Sequence, residues 1–139
     1  MVSSGLDEFT KSKFKEVIDD NIKKKNDIKK IVLCTGKFYY DLIEYKAKNK
    51  IKNTAIIRIE QLSPFPKVIL EKYIKSYKNA DRVIWAQEEN QNMGYWSYVS
   101  SFQLKNIELM SRKRSSSPST GFLKVHLQEQ KELIKKIFN

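Results

Sequence analysis

The sequence predicts an α/β domain with a mainly parallel sheet, and two patterns lead to that fold class. Short apolar runs rich in β-branched residues alternate with segments in which apolar residues recur at helical spacing. Strands that alternate with helices are typical of parallel sheets, because a right-handed crossover returns the chain to the same end of the sheet. The length of 139 residues fits one such domain rather than two.

The predicted elements follow one another in a regular order. Apolar runs predict three strands, at residues 29–34, 54–62 and 82–87. Helical periodicity predicts four helices, at residues 38–50, 67–78, 95–110 and 122–138. Residues 1–28 are polar and irregular, so we expect a connector there and the α/β domain itself at residues 29–139.

Helical spacing also predicts which side chains face the sheet. The inner face of the first helix is expected to carry Tyr39, Leu42, Ile43 and Lys46. The inner face of the second helix is expected to carry Ile69, Tyr73 and Ile74.

Composition limits the classes of partner that the chain can have. The formal charge of +11 would suit a nucleic acid, but only four of the 27 basic residues are arginine and the lysines are scattered. Because arginine is the usual reader of phosphates and bases, a solvated basic surface is favoured over nucleic-acid binding. No apolar run approaches the roughly 18 residues of a membrane helix, and no apolar core of a secretory signal is present. We therefore expect neither nucleic acid nor membrane as a partner.

The single cysteine and the single histidine restrict metal and redox chemistry. Cys34 has no partner for an internal disulfide, and it is expected to be inert at the end of a buried strand. His126 has no second histidine or cysteine at ligand spacing. A packed or capping role for His126 is therefore favoured over metal binding or general base catalysis.

Three polar segments follow the predicted strands: Thr35-Gly36-Lys37, residues 60–66 and residues 87–94. Because the carboxyl ends of parallel strands meet at one edge of a sheet, we expect these segments to form a polar rim where ligands bind. The first segment could cradle a phosphate at the start of a helix. A tight turn is the simpler interpretation, since a single glycine is neither a P-loop nor a dinucleotide fingerprint.

Two adjacent carboxylates, Glu88 and Glu89, stand at the end of the third strand. Neighbours on a strand point to opposite faces, so they are not expected to act together as a general acid and base. One is expected to cap or charge the N-terminus of the following helix, where negative charge is stabilising. The other is expected to pair with an arginine.

The segment "RKRSSSPSTG", residues 112–121, combines guanidinium groups with hydroxyls. These groups suit an anion or the phosphate of a nucleotide. A solvated loop or a phosphorylatable linker explains the same composition, and both interpretations stay open.

Several long strings of the sequence, taken together, resemble one family. They are "LDEFTKSKFKEVIDD", "KIVLCTGKFYYDL", "IIRIEQLSPFP", "RVIWAQEENQNMGYW" and "SPSTGFLKVHLQEQ". In order and spacing, from about Ser3 to Asn139, they resemble the C-terminal domain of the first, decarboxylating component of the 2-oxoglutarate dehydrogenase complex. The chain departs from the family in "SRKRSSSPSTG", where relatives commonly have Gly-Arg-Pro-Ala before the matching segment.

The resemblance implies a transketolase C-terminal-like fold and a place in a much longer enzyme. That enzyme uses thiamine diphosphate and magnesium to decarboxylate 2-oxoglutarate in the tricarboxylic acid cycle. It passes the succinyl group to the lipoyl group of the dihydrolipoyl succinyltransferase component. It works in the mitochondrial matrix of eukaryotes and the cytoplasm of bacteria, and a close sister acts on 2-oxoadipate.

The resemblance further implies that the catalytic, cofactor and metal residues lie in domains that precede this one, because the "GDG" magnesium motif is not in this sequence. The chain is therefore expected to be a fragment or a separately encoded piece, inactive alone. Its expected partners are the preceding domains and a second copy of the enzyme in a homodimer.

An effector site for AMP or acetyl-CoA at the junction with the preceding domains is also implied. The positions that match are Arg58, Gln87, Asn92, Arg112, Ser117 and Thr120. A stand-alone module that binds a nucleotide or an acyl-CoA remains the alternative.

Overall fold

A five-stranded sheet organises the chain and confirms the predicted fold class. The computed structural model describes residues 6–10 and 13–139. Its strands are β1 (Val17–Ile18), β2 (Lys30–Cys34), β3 (Thr54–Ile59), β4 (Arg82–Asn90) and β5 (Ile107–Arg112). Its helices are α1 (Leu6–Thr10), α2 (Phe38–Lys48), α3 (Lys67–Ser76), α4 (Trp96–Ser100) and α5 (Leu123–Phe138).

The strand order places a crevice in the middle of the sheet. The order is β1-β3-β2-β4-β5, with β1 antiparallel to β3 and every other pair parallel. The chain runs from β2 outward to β3 and then crosses back to β4 on the other side of β2. In open parallel sheets such a reversal opens a crevice at the carboxyl ends of the strands, here between β2 and β4.

Helices cover both faces of the sheet. α3 and α4 pack on one face through residues such as Leu70 and Val99. α2 and α5 pack on the other face through Leu42, Ile134 and Ile137. All five residues of β2 are buried, which explains why the sequence shows a continuous apolar run there instead of alternation.

The inner faces of α2 and α3 differ in part from the prediction. Phe38 and Leu42 are the buried residues of α2, with Tyr39 and Ile43 partly packed. In α3 the prediction for Ile69 was wrong, because its side chain is 39% exposed. Leu70, Tyr73, Ile74 and Tyr77 form the inner face instead. Their i, i+3, i+4, i+7 spacing fits a single helical stripe.

The helix predicted at residues 95–110 is confirmed only at its start, and its extension to residue 110 was wrong. α4 ends at Ser100, and Ile107–Arg112 forms the edge strand β5, which pairs in parallel with β4. Between them, Gln103 and Asn106 adopt left-handed backbone angles, with φ of 52° and 56°. Residues in that conformation do not continue a right-handed helix.

The segment expected as a connector contributes an edge to the sheet. β1 pairs with β3, and beyond it Asp20 Oδ2 accepts the Ile56 N–H at 3.0 Å. Its neighbour Asp19 accepts a hydrogen bond from the Tyr77 hydroxyl. Burial is the largest cause that raises the pKa of Tyr77, and this hydrogen bond is the second cause. The boundary at residue 28 stays a prediction, and residues 1–5, 11 and 12 lie outside the described part of the chain.

The last helix is fastened to the centre of the sheet by a buried lysine. Lys30 Nζ donates a hydrogen bond to the Ile137 carbonyl at 3.0 Å. Burial lowers the pKa of Lys30, and a cation at the C-terminal end of a helix is favoured by the helix dipole. Across residues 6–10 and 13–139, no helix combines the length and apolar character that crossing a membrane demands.

Candidate functional site

The polar segments after β2, β3 and β4 lie on one edge of the sheet, as their parallel pairing requires. At the end of β2, Gly36 has a φ of 62°, which suits glycine in a tight turn. The Thr35 hydroxyl donates to the Ile59 carbonyl at 2.8 Å and so joins the ends of β2 and β3. A phosphate at this turn stays a prediction. A tight turn is sufficient to explain the backbone geometry of Thr35-Gly36-Lys37.

Gln87 closes a buried hydrogen-bond cluster at the end of β4, and its side chain is 3% exposed. Its Oε1 accepts from Trp85 Nε1 at 2.9 Å and from the Trp96 N–H at 3.1 Å. Its Nε2 donates to the carbonyls of Asn90 at 3.1 Å and Met93 at 2.7 Å. Both acceptor positions and both donors of the amide are therefore used. An effector contact at Gln87 stays a prediction. The Gln87 side chain has no donor or acceptor left for such a contact.

Gly94 lies directly against the Gln87 amide. Its φ is 66°, and a Cβ at this position would stand 3.1 Å from Gln87 Nε2. Both the backbone angle and the close approach require glycine here. We call Trp85, Gln87, Asn90, Met93, Gly94 and Trp96 the Gln87 cluster.

The two adjacent carboxylates end on different sides of β4. Glu88 is half-buried and accepts a hydrogen bond from Gln130 Nε2 at 3.3 Å, whereas Glu89 is exposed. The first turn of α4 has no acidic residue, so the prediction that one glutamate charges this helix was wrong. Among the ion pairs of the described residues, none joins Glu88 or Glu89 to an arginine, contrary to the prediction.

Arg58 stands apart from the other candidate effector residues. It is held at the end of β3 by an ion pair with Glu60, whose Oε1 lies 2.8 Å from Arg58 Nε. Its Nη1 donates to the Tyr40 hydroxyl at 3.0 Å, and its guanidinium stacks 4.7 Å from the centre of the Tyr39 ring. Arg58 therefore anchors the first turn of α2 to the sheet.

Three of the four remaining candidates meet at a cavity of about 520 Å³, which we call the loop pocket. The end of β5, the loop at residues 113–122 and one side of α5 enclose it. Arg112, Ser117 and Thr120 line it. The fold thus brings together three of the residues that the sequence analysis named as candidates. Its cationic side chains are Arg112, Lys113, Arg114 and Lys136, and its carboxylates are Glu129 and Glu132.

Two asparagines of the segment at residues 87–94 hold the loop in place. Asn90 Nδ2 donates to the Ser117 carbonyl at 2.7 Å. Asn92 Nδ2 donates to the Ser115 carbonyl at 2.9 Å, and Asn92 Oδ1 accepts the Ser115 N–H at 3.1 Å. Sequence reasoning missed Asn90, since nothing in the local pattern distinguishes an asparagine that turns toward a distant loop.

Arg112 forms the inner wall of the loop pocket, and its side chain is only 10% exposed. Its Nη2 donates to Gln130 Oε1 at 2.9 Å and lies 3.2 Å from His126 Nδ1. Its Nη1 lies 3.6 Å from Glu129 Oε2, which also accepts the Thr120 hydroxyl at 2.6 Å. The Nε–H is buried and has no hydrogen-bond partner among the described residues.

A second cavity of about 460 Å³ lies at the crevice near the ends of β2 and β4, between α2 and α5. Gln130 is one of the residues that line it. The Gln130 amide nitrogen donates to Asp41 Oδ2 at 3.1 Å and to Glu88. One side chain thus contacts Arg112 on one side and two carboxylates on the other.

The described residues do not fit the magnesium of a thiamine cofactor. Residues 6–10 and 13–139 contain no group of three histidine, cysteine or acidic side chains that could hold a metal ion. Cys34 is fully buried, and burial raises the pKa of its thiol, which agrees with the expected inert role. We derive no step of cofactor chemistry from these residues.

The chain matches the family described as "2-oxoglutarate dehydrogenase C-terminal" over residues 3–138. Three relatives illustrate the similarity. The oxoglutarate dehydrogenase of Buchnera aphidicola is 39% identical over 142 aligned positions, which cover 96% of this chain and 15% of the relative. The mitochondrial 2-oxoglutarate dehydrogenase of Caenorhabditis elegans is 42% identical over 120 positions, covering 81% of this chain and 12% of the relative.

The third relative is the 2-oxoglutarate dehydrogenase E1 component of Haemophilus influenzae, which is 38% identical over 140 positions. They cover 94% of this chain and 15% of that relative. The chain thus spans about 15% of the length of the bacterial relatives it matches. The family match, the parallel sheet and the polar segments at its edge agree, and the chain belongs to the 2-oxoglutarate dehydrogenase C-terminal family.

Proposed function

We propose that this chain works as the C-terminal domain of a 2-oxoglutarate dehydrogenase E1 enzyme, where it supports the homodimer and borders the catalytic domains. The observation that carries the proposal is the match over residues 3–138. The segments that distinguish the family, residues 60–66, 87–94 and 112–121, lie at the carboxyl ends of β3, β4 and β5, on one edge of the sheet.

In this proposal, decarboxylation of 2-oxoglutarate belongs to the preceding domains. They bind thiamine diphosphate and magnesium, and the succinyl group passes to the lipoyl group of the dihydrolipoyl succinyltransferase component in the tricarboxylic acid cycle. The enzyme would work in the mitochondrial matrix of a eukaryote or the cytoplasm of a bacterium. The mitochondrial and bacterial relatives support either location.

A domain exchange tests the proposal. The C-terminal domain of the Haemophilus influenzae enzyme is replaced by this chain, and release of CO2 from 2-oxoglutarate is measured together with dimer formation by light scattering. We expect an active dimer, because the two sequences are 38% identical over 94% of this chain. The same enzyme without any C-terminal domain should lose both dimer and activity.

A matched control is the exchange with the domain of the Rickettsia typhi relative, which is 40% identical to this chain. It shows that the junction tolerates a foreign domain. If that control is active and the chimera with this chain stays monomeric or releases no CO2, the proposal is wrong.

The loop pocket favours a second role, the binding of an effector such as AMP or acetyl-CoA. Asn92, Arg112, Ser117 and Thr120 carry this role, since they line the loop pocket or hold its loop. Arg58 and Gln87 are less suited, because they are engaged elsewhere in the fold. Titration of the chain with each compound tests the role, and no binding at millimolar concentration would contradict it.

A further inference from the structure

We propose that the first half of α5 is a docking surface on which the preceding part of the enzyme packs. We call its exposed apolar side chains, Phe122, Leu123, Val125 and Leu127, the α5 patch. The inference rests on the proposed function and deepens it, because it names the side chains that meet the preceding domains. It is carried by the exposure of the α5 patch, by the distribution of apolar side chains over the molecule and by the edge at which the chain enters the sheet.

The two halves of α5 differ in what they contact. In the second half, Leu133, Ile134 and Ile137 are buried against the sheet. None of the residues 122–132 is buried, and the side chains of the α5 patch are between 42% and 77% exposed. A helix of a globular protein normally turns its apolar side chains toward a core. The first half of α5 carries apolar side chains for a core that this domain does not supply.

The spacing of its side chains joins the α5 patch to the core of the domain. Leu123, Leu127, Gln130 and Ile134 lie at i, i+4, i+7 and i+11, so they form one stripe along the helix. The stripe begins exposed at Leu123 and ends buried at Ile134. Its last three members line the cavity of about 460 Å³ between α2 and α5. The α5 patch is therefore the exposed continuation of a stripe that reaches the core.

The exposed large apolar side chains of the molecule are gathered at one edge of the sheet. Apart from Leu6 in α1, those of the described residues lie at the carboxyl edge: before β1, in the first turn of α3, in and just before α4, and in the α5 patch. At the amino edge, the exposed side chains of the loops at residues 49–53 and 77–81 are lysine, asparagine and aspartate. Single exposed apolar residues need no explanation, whereas a contiguous apolar region marks a protein–protein interface.

The chain enters the sheet at this same edge. β1 runs antiparallel to β3, and Val17 pairs with Ile59, the last residue of β3. Just before Val17, the Glu16 carbonyl accepts the N–H groups of Glu60 and Gln61, beyond the end of β3. The residues that lead into β1 therefore reach the sheet at its carboxyl edge. A preceding domain is thus joined on the side that carries the exposed apolar side chains.

The length of the relatives identifies the partner. The matched segment covers 96% of this chain but only 15% of the Buchnera aphidicola enzyme, and the matching family is described as C-terminal. Most of each relative thus lies outside the matched segment. Because that part is joined covalently to this domain, its effective concentration at the α5 patch exceeds that of a separate molecule. This argument favours the preceding part of the enzyme over a second copy of the domain.

Hydroxyl-radical footprinting of the 139-residue chain and of the chimera from the domain exchange tests the proposal. We expect Phe122 and Leu127 to be oxidised several-fold more slowly in the chimera, because the core of an interface is packed as tightly as a protein interior. The matched control is Phe138, which is half-buried at the other end of α5 and should react at the same rate in both proteins. Equal rates for Phe122 in the two proteins would overturn the proposal.

Paired variants examine the contact itself. Leu123→Ser combined with Leu127→Ser should raise the oxidation rate of Phe122 in the chimera nearly to its rate in the isolated chain, since two apolar anchors are lost. The matched control is Lys124→Ser, at an exposed position of the same turn outside the α5 patch, and it should leave Phe122 protected. A folded double variant in which Phe122 stays protected would contradict the proposal.

Thermal unfolding of the isolated chain verifies that the variants fold. Neither variant should change the unfolding temperature, because the replaced side chains are exposed. A large fall in the double variant would show that the α5 patch belongs to the core of the domain itself, and the docking surface would be wrong.

The remaining outcomes separate other occupants and the proposed function. Slow oxidation of Phe122 in the concentrated isolated chain, with a doubled mass in light scattering, would assign the surface to a second copy and overturn the proposal. Protection of Phe122 in a chimera that releases no CO2 would support the docking surface and count against the proposed function. Fast oxidation of Phe122 in an active chimera would do the reverse.

Discussion

The Gln87 cluster and the loop pocket are neighbouring polar regions at the same edge of the sheet, and they differ in how completely their hydrogen bonds are made. Gln87 uses every donor and acceptor of its amide inside the protein. Arg112 is also largely buried, but it lines a cavity of about 520 Å³, and its Nε–H has no hydrogen-bond partner among the described residues. Asn90 belongs to both regions, since its carbonyl accepts from Gln87 and its amide holds the loop.

The difference separates polar residues that build the fold from polar residues that are available to a ligand. A closed cluster specifies one conformation of the chain, because each partner that is removed leaves another buried group unpaired. An open cluster has capacity left for an external partner. Substitutions in the Gln87 cluster should therefore change stability, and substitutions at the loop pocket should change binding.

The largest effect is expected for Gln87→Ala. It leaves the Trp85 indole N–H, the Trp96 backbone N–H and the Met93 carbonyl without their partner, whereas the Asn90 carbonyl keeps the Met93 N–H. The free energy of unfolding should fall by about 3 kcal/mol, since each unpaired buried group costs roughly 1–3 kcal/mol. Urea unfolding followed by tryptophan fluorescence measures the loss.

The control for Gln87→Ala is Gln91→Ala. Gln91 is exposed, and its side chain makes no hydrogen bond within the described residues. Its replacement should change stability by less than about 0.5 kcal/mol. If Gln87→Ala were equally harmless, the closed cluster would not be the structural element that its geometry indicates.

An intermediate effect is expected for Gly94→Ala, with Gly36→Ala as the matched control. Both glycines have left-handed backbone angles, but only Gly94 would place a Cβ against a neighbour, 3.1 Å from Gln87 Nε2. Gly36→Ala should cost about 1 kcal/mol from backbone strain alone. Gly94→Ala should cost about 2 kcal/mol or more, because the Gln87 amide is held by four hydrogen bonds and cannot move aside. If urea unfolding gave equal losses of stability for the two variants, the Gln87 amide would be able to move away from the new Cβ without cost.

The smallest change in stability is expected for Asn92→Ala at the loop pocket. Its two hydrogen bonds to Ser115 are exposed to solvent, so the loss should stay below about 1 kcal/mol. Affinity for AMP should nevertheless fall several-fold, because the loop is no longer held in its binding conformation. Titration and urea unfolding of one preparation measure both quantities. A large loss of stability with unchanged affinity would reverse the distinction between the two regions.

The three central strands and the helices α2, α3 and α5 were predicted from the sequence because their signals are strong and local. The apolar runs of β2, β3 and β4 are continuous since both faces of the sheet are covered, and the helices carry clear apolar stripes. The edge strand β5 was missed for a physical reason. None of its residues is fully buried, so it lacks the apolar run of the central strands. It also follows two residues with left-handed angles, and such residues do not reveal in the sequence that they end a helix.

The candidate site was foreseen in part. The strings that carry the family resemblance include Asn92, Arg112, Ser117 and Thr120, and the fold brings these residues together at the loop pocket. The closed state of Gln87 was not foreseen, although its position two residues after Trp85 places both on one face of β4. Whether a buried amide is fully paired depends on backbone carbonyls from a turn, and a pattern of residue types does not encode their direction.

The carboxylate of Asp20 has a further consequence for the chain in solution. The outer edge of a sheet invites strands of other molecules to add to its free N–H groups, which is how many proteins aggregate. β1 covers only two residues of that edge, and at the Ile56 N–H the Asp20 carboxylate occupies the place of an incoming strand. An ion pair holds the carboxylate in this position, since Lys46 Nζ lies 2.5 Å from Asp20 Oδ2. The polar segment before β2 thus blocks the addition of further strands at the β3 side of the sheet.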